Sequence, residues 1–228
     1  MATKIVVDAG HGGSNPGAVY QGRRESDDAL RLAMAVGRIL EENGYDVSYT
    51  RTTDATQSVG QKAAIANEEG ADLFVSIHRN AAEYPGKYTG VQTLIYDDSG
   101  IKKDIAQNIN ANLDRLGFRN AGVSIRPNLV VLNSTQMPAL LVEAGFIDST
   151  TDNQLFDSRF QAIAQGIADG IMETLENQNV SGGGNMTGNS MGNNMGNNMM
   201  GNGQNCPVCP SMPEGTGPEQ ELYRVQAG

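Results

Sequence analysis

The 228-residue sequence contains only two cysteines, Cys206 and Cys209, and both lie outside the part of the chain that could form a core. A framework of disulfide bonds therefore does not support the fold. The sequence also lacks any run of the roughly 20 apolar residues that a membrane-spanning helix needs. Because a strand-like segment begins almost directly after Met1, we expect no secretory signal. We expect either synthesis in the cytoplasm or a trimmed N-terminus.

Positive charge is the second scarcity. The chain has 16 Lys and Arg residues against 26 Asp and Glu residues, which gives a formal net charge of −10, and the basic residues form no cluster. Binding to nucleic acid or to an anionic membrane surface is therefore not expected. Hydrophobic residues make up 39% of the sequence, which is enough for the core of one sizeable domain.

Strand-like and helix-like segments alternate over the first 176 residues. The predicted strands are 4–8, 45–50, 73–78, 91–96, 129–132 and 139–143. The predicted helices are 26–44, 58–70, 99–116 and 158–176, and 122–128 is predicted to be a connection. Ser26 and Ser58 are the expected N-caps of the first two helices. This alternation predicts a three-layer α/β/α domain with a mostly parallel sheet.

The composition changes after Glu176. Residues 181–205 hold eight Gly, eight Asn and five Met, and almost nothing that a core could use. We therefore predict a folded domain over 1–176 and a disordered linker or tail over 177–220. The spacing of Cys206 and Cys209 is that of a zinc knuckle without its second pair, so metal binding, a disulfide and an incidental pair all stay open. Residues 221–228 have strand character again and are predicted to begin a further domain.

Histidine is equally scarce, and its placement is informative. The only two histidines, His11 and His78, each follow an apolar strand-like run, and His11 stands between glycines. Taken alone, either could be an incidental turn residue. Open α/β sheets, however, place ligands outside the carboxyl ends of their strands, where the two side chains could converge.

Two glutamates complete the pattern. Glu143 ends another apolar run, and burying an unpaired carboxylate costs several kcal/mol, so it should face a cleft, a cation or an arginine. Glu25, before the first predicted helix, could be a solvated charge or could point back toward His11. Together the four residues match a catalytic zinc site with two His ligands, one Glu ligand, an open position and a separate carboxylate. Their spacings are too long for the helical H-E-x-x-H motif.

The segments that carry these residues resemble a known family. They are Ile-Val-Val-Asp-Ala-Gly-His-Gly-Gly at 5–13, Arg-Glu at 24–25, Ser-Ile-His-Arg-Asn-Ala at 76–81 and Pro-Ala-Leu-Leu-Val-Glu-Ala-Gly-Phe-Ile at 138–147. In this order they resemble the zinc-dependent N-acetylmuramoyl-L-alanine amidases, the bacterial cell-wall hydrolases of the Amidase_3 family. The resemblance covers residues 4 to about 175.

The resemblance implies a fold, a cofactor and residue roles. The fold would be a sheet of about six strands flanked by helices, and the substrate would be peptidoglycan, cleaved between N-acetylmuramic acid and L-alanine. One Zn²⁺ would be held by His11, Glu25 and His78, with Glu143 as the catalytic residue. We expect a monomer. Ala9 and Arg79 depart from the residues common in the family, and Arg79 puts in doubt what the family would imply about the lip of the groove.

Two substrate contacts and two rival functions stay open. Asn80 could anchor the stem peptide, support His78 or be a turn residue. Another zinc hydrolase such as a carboxypeptidase would need an arginine for a free substrate carboxylate, and Arg126 could fill that role. A non-catalytic wall-binding protein that kept the fold is the second rival. The retention of all four site residues argues against it.

The biological setting has two candidates. In the absence of a secretory signal, the protein would reach the wall only after lysis or release, either from a lysing mother cell during sporulation or as a phage endolysin. Residues 221–228 look like the opening strand of a peptidoglycan-binding SPOR domain, which favours sporulation or cell separation. Some family members carry an inserted helix that blocks the zinc. The segment between Arg79 and Val91 is too short for it, so we predict a permanently open site.

Overall fold

A computed structural model of the chain describes residues 2–182, with side chains through residue 178. Within that range the strands are β1 (Lys4–Ala9), β2 (Val19–Tyr20), β3 (Arg23–Arg24), β4 (Asp46–Tyr49), β5 (Leu73–Asn80), β6 (Val91–Ile95), β7 (Asn120–Ile125) and β8 (Ala139–Phe146). The helices are α1 (Glu25–Glu42), α2 (Val59–Glu68), α3 (Ile101–Arg115), α4 (Val130–Asn133), α5 (Thr150–Ser158) and α6 (Phe160–Gly182). None of the described helices is long and apolar enough to cross a membrane.

Six of these strands form one sheet in the order β4-β1-β5-β8-β6-β7, and β2 pairs with β3 in a separate hairpin. The first four strands of the sheet are mutually parallel, β6 runs antiparallel to β8, and β7 is parallel to β6. Apolar residues of α1, α3 and α6 cover one face, and those of α2 and α4 cover the other. The predicted three-layer α/β/α fold with a mostly parallel, six-stranded sheet is confirmed.

Alternation along the central strands positions the site. In β1, Ile5 and Val7 belong to the core on the α1 side of the sheet, whereas Val6 belongs to the core on the α2 side. Because side chains alternate between faces, Asp8 follows Val6 on the α2 side. The same face therefore changes from apolar to polar toward the carboxyl ends of the parallel strands.

One predicted strand is a helix, and one predicted connection is a strand. Residues 129–132 were predicted as a strand, but the chain forms helix α4 there, which buries Val131 and Leu132. Four apolar residues do not distinguish a strand from one helical turn. The predicted connection 122–128 overlaps strand β7, an edge strand whose Gly122 adopts a positive φ of 88°. A half-exposed edge strand with a glycine carries little of the alternating pattern.

Element ends also differ from prediction at two places. Helix α1 begins at Glu25 with Arg24 as its N-cap residue, rather than being capped by Ser26. The predicted last helix, 158–176, corresponds to α6, which begins at Phe160 and continues past residue 176 to Gly182, whereas α5 was not predicted. The predicted linker therefore begins with helical residues. The glycine run that starts at Gly182 disfavours helix. The rest of the 177–220 segment, Cys206, Cys209 and residues 221–228 lie outside the described residues.

Candidate metal centre

The candidate site lies at the carboxyl ends of β1 and β5. His11 follows β1 in a loop and has a positive φ of 57°, and Gly12 and Gly13 continue in the positive region at 128° and 59°. Left-handed backbone is uncommon for a residue with a side chain, so this loop is held in an unusual conformation. His78 belongs to β5 itself, and Glu25 is the first residue of α1.

The three side chains meet around one carboxylate oxygen. Glu25 Oε1 lies 2.8 Å from His78 Nδ1 and 3.1 Å from His11 Nε2. The two imidazole rings are edge-to-face, with centroids 4.9 Å apart. One candidate ligand atom from each residue lies within 4.8 Å of the others, and among the described residues this is the group of His, Cys, Asp or Glu side chains that could hold a metal ion.

The hydrogen bonds around His11 suit a metal ligand. Its Nδ1 lies 3.2 Å from Asn15 Oδ1, which also accepts a hydrogen bond from the Gly17 N–H. An acceptor at Nδ1 favours the tautomer that leaves a lone pair on Nε2. That Nε2 is buried and makes no well-directed hydrogen bond, although Glu25 is close. A buried lone pair without a donor fits a cation at this point.

The charge state of Glu25 agrees with this fit. Burial by itself would raise the pKa of the Glu25 carboxyl, but the two imidazoles outweigh burial and hold the pKa far below its usual range. Burial lowers the pKa of His11, yet the Glu25 carboxylate outweighs it and the net shift of that pKa is upward. Glu25 is therefore ionised, as a carboxylate ligand must be.

A buried polar layer lies directly beneath His11, Glu25 and His78, the group of three that we call the triad. Asp8 accepts hydrogen bonds from Thr50 at 2.5 Å, from Ser76 at 2.5 Å and from Lys62 Nζ at 2.7 Å. Burial would raise the pKa of Asp8, but the charge and hydrogen bonds of its partners lower it. Ser76 precedes His78 by two residues and faces the same side of the sheet. This network joins β1 and β5 just below the two histidines.

Glu143 lies on β8 next to His78. The two residues are register partners in the parallel β5–β8 pair, and Gln92 of β6 pairs with Glu143 from the other side. Partners on neighbouring strands share a face and stand about 4.8 Å apart. Glu143 is completely buried. The fold therefore brings its carboxylate to the same face as the triad.

The structure separates the two predicted substrate contacts. Asn80 ends β5 two residues after His78, and it is buried with its Oδ1 accepting from the Ala81 N–H while its Nδ2 makes no hydrogen bond. Arg126 follows β7, and its N–H donates to Ile95 at the end of β6. Because β6 runs antiparallel to β8, Ile95 lies near the amino-terminal end of β8, away from the carboxyl-terminal end where His78 lies. The structure does not bring Arg126 to the triad.

Arg79 corrects an expectation about the groove. As a departure from the family it put in doubt what the resemblance implies about the groove lip, but it is 1% exposed and lies in the interior. Its guanidinium donates to Asp28 at 2.6 Å and to Asn153 at 2.8 Å, and it stacks 4.0 Å from the Phe156 ring centroid. Arg51, which was not predicted to matter, is also buried. The only sequence signal for it was a polar Thr-Arg-Thr-Thr-Asp run directly after a predicted strand.

Comparisons with known proteins agree with this geometry. The N-acetylmuramoyl-L-alanine amidase family matches residues 5–173. A sporulation-specific N-acetylmuramoyl-L-alanine amidase of Bacillus subtilis (strain 168) is 38% identical over 167 residues, 71% of this chain and 64% of that protein. An endolysin of Bacillus phage SPP1 is 35% identical over 163 residues, 68% of this chain and 59% of that protein. The chain thus spans less than two thirds of the length of these relatives.

Comparison with solved structures also finds an N-acetylmuramoyl-L-alanine amidase. The crystal structure of an N-acetylmuramoyl-L-alanine amidase from Clostridium difficile 630 superposes with a TM-score of 0.72 at 30% identity, covering 77% of this chain and 97% of that one.

Proposed function

Because the chain belongs to the N-acetylmuramoyl-L-alanine amidase family, we propose that it hydrolyses peptidoglycan at the amide bond between N-acetylmuramic acid and L-alanine of the stem peptide. The observation that carries the proposal is the convergence of His11, Glu25 and His78 beside the buried Glu143. Such a set of ligands and a neighbouring carboxylate is the equipment of a metal-assisted amide hydrolase.

The proposed cofactor is one Zn²⁺ held by His11, Glu25 and His78. Two neutral imidazoles and one carboxylate suit zinc, and three protein ligands leave a position for water or substrate. The buried Nε2 of His11 and the ionised Glu25 support this assignment. When bound, zinc supplies Lewis-acid polarisation of a carbonyl and lowers the pKa of a coordinated water toward about 7.

Glu143 is the proposed general base and acid. Its carboxylate would take the proton of the attacking water and deliver it to the nitrogen of the departing L-alanine. This assignment needs the carboxylate to be fixed beside the ligands without being one of them. Its place on a central strand, opposite His78 and Gln92, supports that requirement. The described fold needs no covalent nucleophile for this reaction.

Asn80 is the proposed anchor for the stem peptide. Its buried Nδ2 makes no hydrogen bond within the described protein, and it lies at the end of the strand that carries His78. A donor in that position could bind a peptide carbonyl of the substrate. The rival carboxypeptidase function loses its specific support, since Arg126 lies at the opposite end of the strands from His78.

We also propose a setting and an organisation. Two of the chain's relatives, a sporulation-specific amidase of Bacillus subtilis and an endolysin of Bacillus phage SPP1, fit the two predicted routes, lysis of a mother cell or of a phage host. The described domain would act as a monomer with a permanently open site. The segment between β5 and β6, which would have to carry a blocking helix, contains no described helix.

The test is hydrolysis of purified peptidoglycan with identification of the released groups. An N-acetylmuramoyl-L-alanine amidase exposes new amino groups of L-alanine, a carboxypeptidase releases free C-terminal amino acids, and a binding protein releases neither. Metal content is measured on the same preparation. Exposure of any amino terminus other than L-alanine, or activity that persists in a strong chelator, would contradict the proposal.

A further inference from the structure

The segment between β4 and α2 contacts both of the irregular segments that carry metal ligands. We call residues 51–56 the 51–56 loop. His11 lies in the loop after β1, and Glu25 lies at the junction of β3 and α1. Unlike His78, neither residue is held by a strand of the main sheet. Contacts outside the main sheet must therefore set the distance between His11 and Glu25.

Arg51 joins the two segments from the inside. Its Nη2 donates to Gly10 O and to Ser26 O, both at 2.8 Å, and its Nε donates to Ala9 O at 3.1 Å. Gly10 directly precedes His11, and Ser26 directly follows Glu25. A single buried guanidinium therefore holds the backbone on the inner side of both ligands. A planar fork with five donors can make these bonds at once, whereas a lysine ammonium is a point charge.

Asp54 joins the same two segments from the outside. Its Oδ1 accepts from the Gly13 N–H at 2.6 Å, and its Oδ2 accepts from Arg24 Nη2 at 3.1 Å. Gly13 is two residues after His11, and Arg24 directly precedes Glu25. The hydrogen bond from the Gly13 N–H and, to a smaller extent, that from Arg24 hold the pKa of Asp54 below its usual value, so the carboxylate stays charged.

The contact between the loops leaves no free space. A Cβ added at Gly12 would lie 2.4 Å from Ala55 O, and one added at Gly13 would lie 2.1 Å from Thr56 Oγ1. Thr56 Oγ1 also accepts from the Ser14 N–H at 2.9 Å. The left-handed backbone from His11 to Gly13 is therefore packed directly on the 51–56 loop, which can hold its conformation.

We propose that the 51–56 loop is a positioning element of the metal centre, in which Arg51 and Asp54 hold His11 and Glu25 at the separation that zinc requires. This inference rests on the proposed zinc site. Neither side chain contacts the triad itself. Ligands carried by loops need such outer support to keep productive geometry, and loss of an outer-sphere partner commonly weakens metal binding roughly 10- to 100-fold.

The experiment measures the zinc dissociation constant of the full chain by competition with a chromophoric chelator. The variants are Asp54→Ala, Arg51→Lys and Arg51→Met. We expect Asp54→Ala, at a partly exposed surface position, to fold as the parent does and to weaken zinc binding roughly tenfold. Arg51→Met should weaken it roughly 100-fold, and Arg51→Lys should lie between. The visible absorption of the cobalt-substituted protein should shift in each variant, because it reports ligand geometry.

The matched control is Asn110→Ala. Asn110 is buried and bridges Thr93 Oγ1 and Gly122 O at 2.8 and 2.7 Å, on the face of the sheet away from Glu143. It should lower the unfolding temperature of the metal-free protein while leaving zinc affinity and the cobalt spectrum unchanged. Changes in the Arg51 and Asp54 variants that the control lacks therefore report positioning and not general loss of stability.

Two results overturn the inference in distinguishable ways. Parental zinc affinity and cobalt spectrum in Asp54→Ala and in the Arg51 variants that fold would refute the role of the loop, and Asp54→Ala decides alone if both Arg51 variants fail to fold. Zinc affinity that is undiminished in His11→Ala would instead refute the zinc site, and the loop's role with it.

Discussion

Gly10→Ala should disable the proposed metal centre through a single methyl group. A Cβ at Gly10 would lie 2.5 Å from Cε1, 2.6 Å from Nε2 and 2.7 Å from Nδ1 of His78. Carbon atoms pack at about 3.5 Å or more, so the imidazole would have to retreat by about 1 Å. Zinc–nitrogen distances tolerate only about 0.2 Å. The displaced ring therefore ceases to be a good ligand.

The expected loss of zinc affinity exceeds the roughly 10- to 100-fold cost of losing an outer-sphere partner, because a ligand itself moves. The assay is chelator competition on purified protein, with thermal unfolding of the metal-free form measured alongside. Gly60→Ala is the control. It lies in α2, an added Cβ there has no neighbour closer than 4.0 Å, and alanine favours helix by roughly 1 kcal/mol. Parental zinc affinity in Gly10→Ala would show that His78 is not a ligand.

Three further predictions test the proposed catalytic residue, the interior arginine and the polar layer. Glu143→Gln should retain zinc but lose activity roughly 10²- to 10⁴-fold, measured as release of L-alanine amino groups; retained turnover would make Glu143 structural. Arg79→Met should lower the free energy of unfolding of the metal-free domain by about 3 kcal/mol, measured by denaturant titration. This is the low end for breaking a buried ion pair, because Arg23 still bonds Asp28. A change below about 1 kcal/mol would contradict the pairing. Because the pKa of Asp8 is lowered in the folded protein, its ionised carboxylate stabilises the fold. This stabilisation is complete above about pH 4 and is lost as the pH falls through the lowered pKa. Asp8→Asn should therefore be less stable at neutral pH, and its stability should depend less on pH in an acid unfolding titration.

Much of the fold could be predicted because its elements are strongly periodic. The central strands β1, β5 and β8 are buried on both faces and have near-continuous apolar runs. The capping box at Ser58 is a local signal, and the structure forms it. By contrast, β7 and α4 were mistaken because an edge strand and a four-residue helix bury too little surface to leave a pattern.

The site divides in the same way. His11 and His78 could be singled out because histidine is rare in the sequence and both follow strands. Arg126 could not be judged, since its distance from the site depends on β6 reversing direction in the sheet. Arg79 could be noted only as a departure from the residue common in the family, because nothing in the local sequence shows that this charged side chain is buried. Its burial became clear only with Asp28, 51 residues away in sequence, beside it.

The order of residues alone therefore determined the layered α/β architecture and the chemical identity of the candidate ligands, since periodicity and rarity can be read within a few neighbouring residues. Tertiary structure decided which charges are buried and which loops hold those ligands. Arg51 contacts Gly10 across 41 residues of chain, and Arg79 contacts Phe146 across 67. The energy of a buried ion depends on partners that only the folded chain brings into contact, so no local pattern could identify the two arginines.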